Sequence, residues 1–208
     1  DIVDKSQVTS SNEYLSTSQM KINARYIYQF LSSKGWTINA IAGILGNMQQ
    51  ESTINPGLWQ GRNEGNTSGG LGLVQWTPAT NLINWASSHG YSYTDIDCQL
   101  NKIIDELNNG GQYYPTDSYP ETFKQFTQST KSPEYLASCF MKNYERPGTP
   151  EEENRKSYAR YWYDYLSNYE PGEPDTPDSP VYKPITKKSF NFVLTANKRR
   201  SLWTNRKC

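Results

Sequence analysis

The sequence predicts a mainly α domain of the α+β class, and three observations predict it. Apolar residues recur at helical spacing behind capping residues along most of the chain. A Gly-rich stretch between Ile54 and Thr77 breaks that period with short apolar alternation, which reads as a small β-hairpin with Gly69 to Trp76 as its better strand. At 208 residues the chain fits one domain of ordinary size plus flanking material.

In order, Thr17-Ser18 caps a first helix that carries Met20, Ala24, Ile27 and Leu31 on one stripe and closes at Lys34-Gly35. Thr37 caps a second, with Ile41, Ile44, Leu45 and Met48, stopped by Asn55-Pro56. Gly43 and Gly46 inside it make sense as points of close helix approach. Thr77-Pro78 reads as an N-cap followed by an N1 proline, opening a helix with Leu82, Ile83 and Trp85. Asp95 caps a fourth, carrying Leu100, Ile103, Ile104 and Leu107 up to Asn109-Gly110-Gly111. A short helix fits Glu121 to Thr127. Ser132-Pro133-Glu134 starts another, with Leu136, Cys139, Phe140 and Asn143 on one face. Thr149-Pro150-Glu151-Glu152 repeats that start signal for a long aromatic helix ending near Leu166.

Composition narrows the chemistry. Mean hydropathy is low at -0.85, but 16 Tyr and 6 Trp supply apolar area for a core. The 21 basic and 21 acidic residues cancel, so no global field draws the protein to nucleic acid. No run approaches the length of a membrane span, and no signal peptide is legible. Cys98, Cys139 and Cys208 make an odd count without a Cys-x-x-Cys, so buried thiols are a simpler reading than a disulfide framework or a zinc site. His89 is the only histidine and sits at a predicted helix end, where it suits a cap. Zinc hydrolases and Cys-His or Ser-His hydrolases need more than that, and no phosphate- or dinucleotide-binding fingerprint is present. Carboxylate chemistry remains.

Glu51 is the first candidate. Helical periodicity places it on or beside an apolar face in the last turn of its helix. Desolvation and the negative helix C-terminus both disfavour its charged form, which suits a general acid. Glu64 is the nearest acid that could face it, either as base or electrostatic stabiliser or as decoration of the turn Glu64-Gly65-Asn66. Glu145 is a third candidate, beside Arg146, which could neutralise it in a structural pair.

Glu51-Ser52, Asn55-Pro56, Gly72-Leu73-Val74-Gln75 and Asn143-Tyr144-Glu145 resemble the signature of goose-type lysozymes and lytic transglycosylases. A longer run, Glu51 to Gln60, Glu64 to Ser68, Gly72 to Ala79 and Tyr144 to Pro147, resembles the lysozyme-like domain of tail-tip (tail-knob) proteins of short-tailed Bacillus phages. The resemblance covers roughly residues 14 to 167. It implies a lysozyme-like domain there, after an N-terminal extension over 1–13. A Pro-rich acidic linker over 168–184 and a basic tail or truncated start of a further domain over 185–208 complete the chain.

The resemblance implies a peptidoglycan muramidase of a phage tail tip that opens the host wall at DNA entry, working without cofactor beside other tail proteins. Glu51 is its expected general acid, with Ser52, Gly72, Leu73, Gln75, Trp76, Tyr144 and Glu145 as expected substrate-binding residues and Gly69 to Trp76 as one cleft wall. Taken alone, Trp76 reads better as a core residue. Val74 and Glu145 depart from the transglycosylase pattern, which favours hydrolysis. Other readings are a lytic transglycosylase, a wall-remodelling lysozyme of a bacterial conjugation or secretion system, and a non-catalytic wall-binding tail component.

Overall fold

The computed structural model describes residues 2–169. Ser16, rather than Thr17-Ser18, caps α1 (Thr17–Ser33). Its hydroxyl accepts from the Gln19 amide while the Gln19 side chain accepts from the Ser16 amide, and this reciprocal pair fixes the start. Thr37 caps α2 (Ile38–Ser52) through Ala40 N–H as its position predicts. Every residue from Ala40 to Gln49 is buried, so α2 is the central helix, surrounded by its neighbours rather than lying on the surface.

The α3 helix (Thr80–Ser88) begins later than expected. The Thr77 hydroxyl donates to Gln75 O instead of capping, so Thr77-Pro78 lies in the preceding turn and Ala79 precedes the helix. Asp95 caps α4 (Ile96–Asn109), and Thr122 caps the short α5 (Phe123–Thr127). Ser132 caps α6 (Pro133–Phe140), which continues directly into a π-helical turn, Met141–Glu145. The last helix, α7 (Glu152–Ser167), starts at Glu151 in a left-handed conformation without a side-chain cap, and Pro150 O just before it accepts from Arg155 Nε.

Helix α2 packs against α7, α6, α1 and α5. Its two glycines set how close the first two come. A Cβ on Gly43 would lie 2.9 Å from Leu136 Cβ on α6, and one on Gly46 would lie 2.5 Å from Arg155 O on α7. Both contacts leave no room for a side chain, so the glycines serve packing.

The expected hairpin is reduced to single bridges, Trp59 with Leu71 and Leu71 with Trp76. Gly69 to Trp76 is not a strand: Gly72 (φ 85°) and Gln75 (φ 49°) take left-handed conformations that turn the chain between the two bridge residues. Gly72 also lies against Gln99, whose Oε1 would be 2.5 Å from any added Cβ.

Residues 2–13 lie against the body. Asn23 donates to Thr9 O and accepts from Thr9 N–H, while Asn55 does the same for Ser11 and also donates to Glu13 O. Cys98 and Cys139 are free and buried, and burial pushes both thiols up to about 11. His89 closes α3, its ring nitrogen 2.8 Å from Trp85 O. No helix among the described residues is long and apolar enough to cross a membrane. The expected linker beyond Tyr169 and the basic tail, with Cys208, lie outside the described residues.

Candidate active site

Helix α2 ends abruptly below a cleft. Thr53 and Ile54 both take positive φ (55° and 56°), a rare pair for residues with branched Cβ atoms. Surrounding groups hold them there. Thr53 N–H donates to Gln49 O and Ile54 N–H to Met48 O, Leu15 N–H donates to Thr53 Oγ1, and the Ile54 side chain is fully buried. The Ser52 hydroxyl donates towards Leu73 O and accepts from Asn55 N–H, which ties the Gly-rich segment to the helix end. This local over-determination keeps strained backbone in place and leaves Glu51, two residues before Thr53, at the cleft floor.

The cleft has a volume of about 440 Å³ and is lined in part by Tyr14, Glu51, Gln75, Glu145 and Arg146. Glu51 arrives from α2, Gln75 from the turn between the bridges, and Glu145 from the π-turn after α6. A π-turn inserts an extra residue into the helical turn and so re-aims the side chains beyond it. It is closed by Arg146 N–H donating to Met141 O, with Arg146 at φ 44°.

Glu51 is 18% exposed, and Arg155 Nη2 donates to its Oε1 at 2.6 Å. Arg155 is buried in α7 and also donates to Asn47 Oδ1 and Pro150 O. Asn47 in turn donates to Gly43 O and Ala137 O, so α2, α6 and α7 meet in one polar knot behind Glu51. This buried counterion, Arg155, is a partner for Glu51 that the carboxylate's place at the helix end does not by itself reveal. Sequence reasoning misses Arg155, although it lies on the same helical stripe as Tyr158, Ala159, Trp162 and Leu166, all buried.

Glu145 is different. No described group hydrogen-bonds its enclosed Oε1. Arg146 donates to the Gln112 and Asn143 carbonyls instead of forming the structural pair with Glu145 that the sequence leaves open. Burial, then the neighbouring Glu51 charge, hold the Glu145 carboxyl well above its usual range, with Arg155 opposing and Glu106 and Arg146 contributing less.

Most of the other expected residues lie outside the cleft lining. Glu64 is exposed on the loop and does not line the cleft. Ser52, Leu73, Trp76 and Tyr144 are buried and do not line the cleft. The Tyr144 hydroxyl and Trp76 Nε1 both donate to Glu106, which also pairs with Lys102 at 2.9 Å. This buried cluster needs all its members satisfied, which is why the two aromatics turn away from the cleft. Gly72 is enclosed against Gln99. Gln75 does line the cleft, but its amide nitrogen is committed to the Leu58 and Gly72 carbonyls, leaving Oε1 as the atom with capacity to spare. Among the described residues, no group of three or more His, Cys, Asp or Glu side chains is arranged to hold a metal ion.

Residues 22–166 match the family model of the phage tail lysozymes. Morphogenesis protein 1 of Bacillus phage B103 is 51% identical over 158 residues, which is 76% of this chain and 43% of that protein's length. The aligned region therefore spans less than half of that relative. With a family match over most of its length and a relative identical at half the aligned positions, the chain belongs to the phage tail lysozyme family.

Proposed function

We propose that this domain is a peptidoglycan muramidase that hydrolyses the β-1,4 bond between N-acetylmuramic acid and N-acetylglucosamine, as part of a phage tail that breaches the host wall. The observation that carries the reading is the pair of carboxylates in one cleft, Glu51 and Glu145, with buried Arg155 behind the first. Glycoside hydrolysis requires a proton for the leaving oxygen and a negative group facing the oxocarbenium-like centre, and two carboxylates in different environments supply both. Gln75 and Tyr14 line the same cleft and offer an acceptor and a flat ring to a sugar chain. Family membership and the phage relative support a tail-tip location with other tail proteins as partners.

The test is muropeptide mass spectrometry on Gram-positive peptidoglycan treated with wild type and Glu51→Gln. New reducing N-acetylmuramic ends that vanish in the variant support the reading. Anhydro ends would make the protein a transglycosylase. Sedimentation with the wall without cleavage by either protein would make it a binding component.

A further inference from the structure

One rim of the cleft is built by the arm that precedes α1, residues 2–13, and that arm is fastened along its length. Val3 N–H and Val3 O both bond the Gln29 side chain on α1. The Lys5 ammonium lies 2.7 Å from both Asp95 and Asp97 at the start of α4, and the Ser10 hydroxyl donates to Thr94 O. Nearer the cleft the arm meets the single turn Gln60–Arg62. Asn12 accepts from Trp59 N–H and donates to Arg62 O, and Glu13 pairs with Arg62 Nη1 at 2.7 Å. Gly57 permits this approach, since a Cβ there would lie 2.7 Å from Ser11 N.

These fastenings end at Tyr14. Its ring stands outside the hydrophobic core, stays 43% exposed, and lines the cleft beside Gln60 and Gly61 of the turn that the arm grips. The Arg62 guanidinium lies over that ring, 5.6 Å from its centroid, and biases it to one orientation. An exposed tyrosine left free would lose rotamer freedom on gripping a ligand, whereas one held in this way has lost it on folding. A flat apolar face set among polar groups matches one kind of cleft occupant closely. A pyranose ring presents C–H bonds on its face and hydroxyls around its edge.

Resting on the muramidase reading, we propose that Tyr14 is a sugar-binding platform of this site, stacking on a pyranose ring of the glycan strand. The arm that holds it is a specificity element lying wholly upstream of residue 22, where the family match begins. Tyr14 acts on substrate binding and not on bond breaking, so it sets KM and leaves kcat alone.

Wild type, Tyr14→Phe and Tyr14→Ala are assayed on soluble uncrosslinked glycan strands, before and after an amidase removes the stem peptides. Binding to the same strands is measured on ice, and thermal melts are recorded. Tyr14→Ala is expected to raise KM and Kd by about 5–30-fold, equally on stripped strands, with kcat and Tm near wild type. Tyr14→Phe keeps the ring and is expected to match wild type. The proposal is overturned if Tyr14→Ala binds stripped strands like wild type, or if Tyr14→Phe falls as far as Tyr14→Ala. It is also overturned if the penalty disappears with the peptides, which would assign the ring to the stem, or if only kcat falls. A wild type that binds but cleaves nothing sinks the muramidase reading alone, and the Kd series still decides the platform. A wild type that does neither sinks both.

Discussion

Arg155 Nη2 lies 2.6 Å from Glu51 Oε1 while Nη1 of the same side chain lies 2.9 Å from Asn47 Oδ1, one turn earlier on α2. One buried guanidinium thus staples the end of the central helix to α7. Removing it leaves Glu51 and Asn47 without their donor, the costly way to break a buried pair. Arg155→Met is expected to destabilise the fold by about 3–5 kcal/mol in urea unfolding. Arg155→Lys recovers only part of that, because an ammonium cannot span both acceptors.

The same staple depends on how closely α2 and α7 approach. Gly46→Ala places a methyl 2.5 Å from Arg155 O and 2.8 Å from Ala159 N, backbone atoms that cannot swing aside. Overpacking of this kind costs about 1–3 kcal/mol. A lowered Tm is expected together with reduced wall cleavage, since Arg155 sits at the contact. Gly148→Ala is the control, with nothing near its added Cβ, and its Tm should match wild type.

Tyr144→Phe tests whether Tyr144 supports the site or touches sugar. Loss of the hydroxyl removes one donor from buried Glu106 and should cost about 1–3 kcal/mol in unfolding experiments. The KM for soluble peptidoglycan fragments should stay at the wild-type value. A raised KM at unchanged stability would return Tyr144 to the cleft.

Glu64→Gln should leave muropeptide release unchanged. Glu64 is solvent-exposed and outside the cleft lining, so neither a proton nor a charge at that position reaches a bound chain.

Glu145 gives stability a pH dependence of defined sign. Its folded pKa is raised above the ordinary 4.5, so the folded state holds a proton that the unfolded chain releases. That contribution is complete below pH 4.5 and is lost as pH rises through the folded value. Glu121 and Glu134 act oppositely, since their carboxyls are lowered by Lys131 and Arg160 partners, so the total curve mixes both signs. The difference between wild type and Glu145→Gln isolates the first: the variant should gain stability over wild type as pH rises above 4.5. Urea unfolding at several pH values reads this directly.

Helix α2 and its glycines were legible because periodicity, a Thr cap and two unusual glycines agreed. The position of Glu51 followed from extending that period. The strand was not: the sequence shows alternation between Gly69 and Trp76, but left-handed Gly72 and Gln75 convert it to a turn, and contacts with Leu58 and Gln99 decide that conformation. Trp76 and Tyr144 could face either sugar or core from sequence alone, and the partner that chooses, Glu106, lies on another helix. The π-turn left no local mark, so Glu145 read as a third carboxylate candidate at a helix end that Arg146 could neutralise. Arg155 did leave one, an arginine heading an otherwise apolar stripe, and its partner across the bundle was the missing half.

Similarity to the phage tail lysozyme family starts at residue 22, inside α1. The mechanical edge of the site lies upstream. Ser11 and Glu13 are pinned by Asn55, and Leu15 N–H is received by Thr53, immediately behind Glu51. A domain trimmed to the similarity boundary would keep both cleft carboxylates and lose the external brace on the left-handed Thr53-Ile54 pair. Its helix end would then be free to relax, and an intact inventory of residues would no longer amount to an intact site.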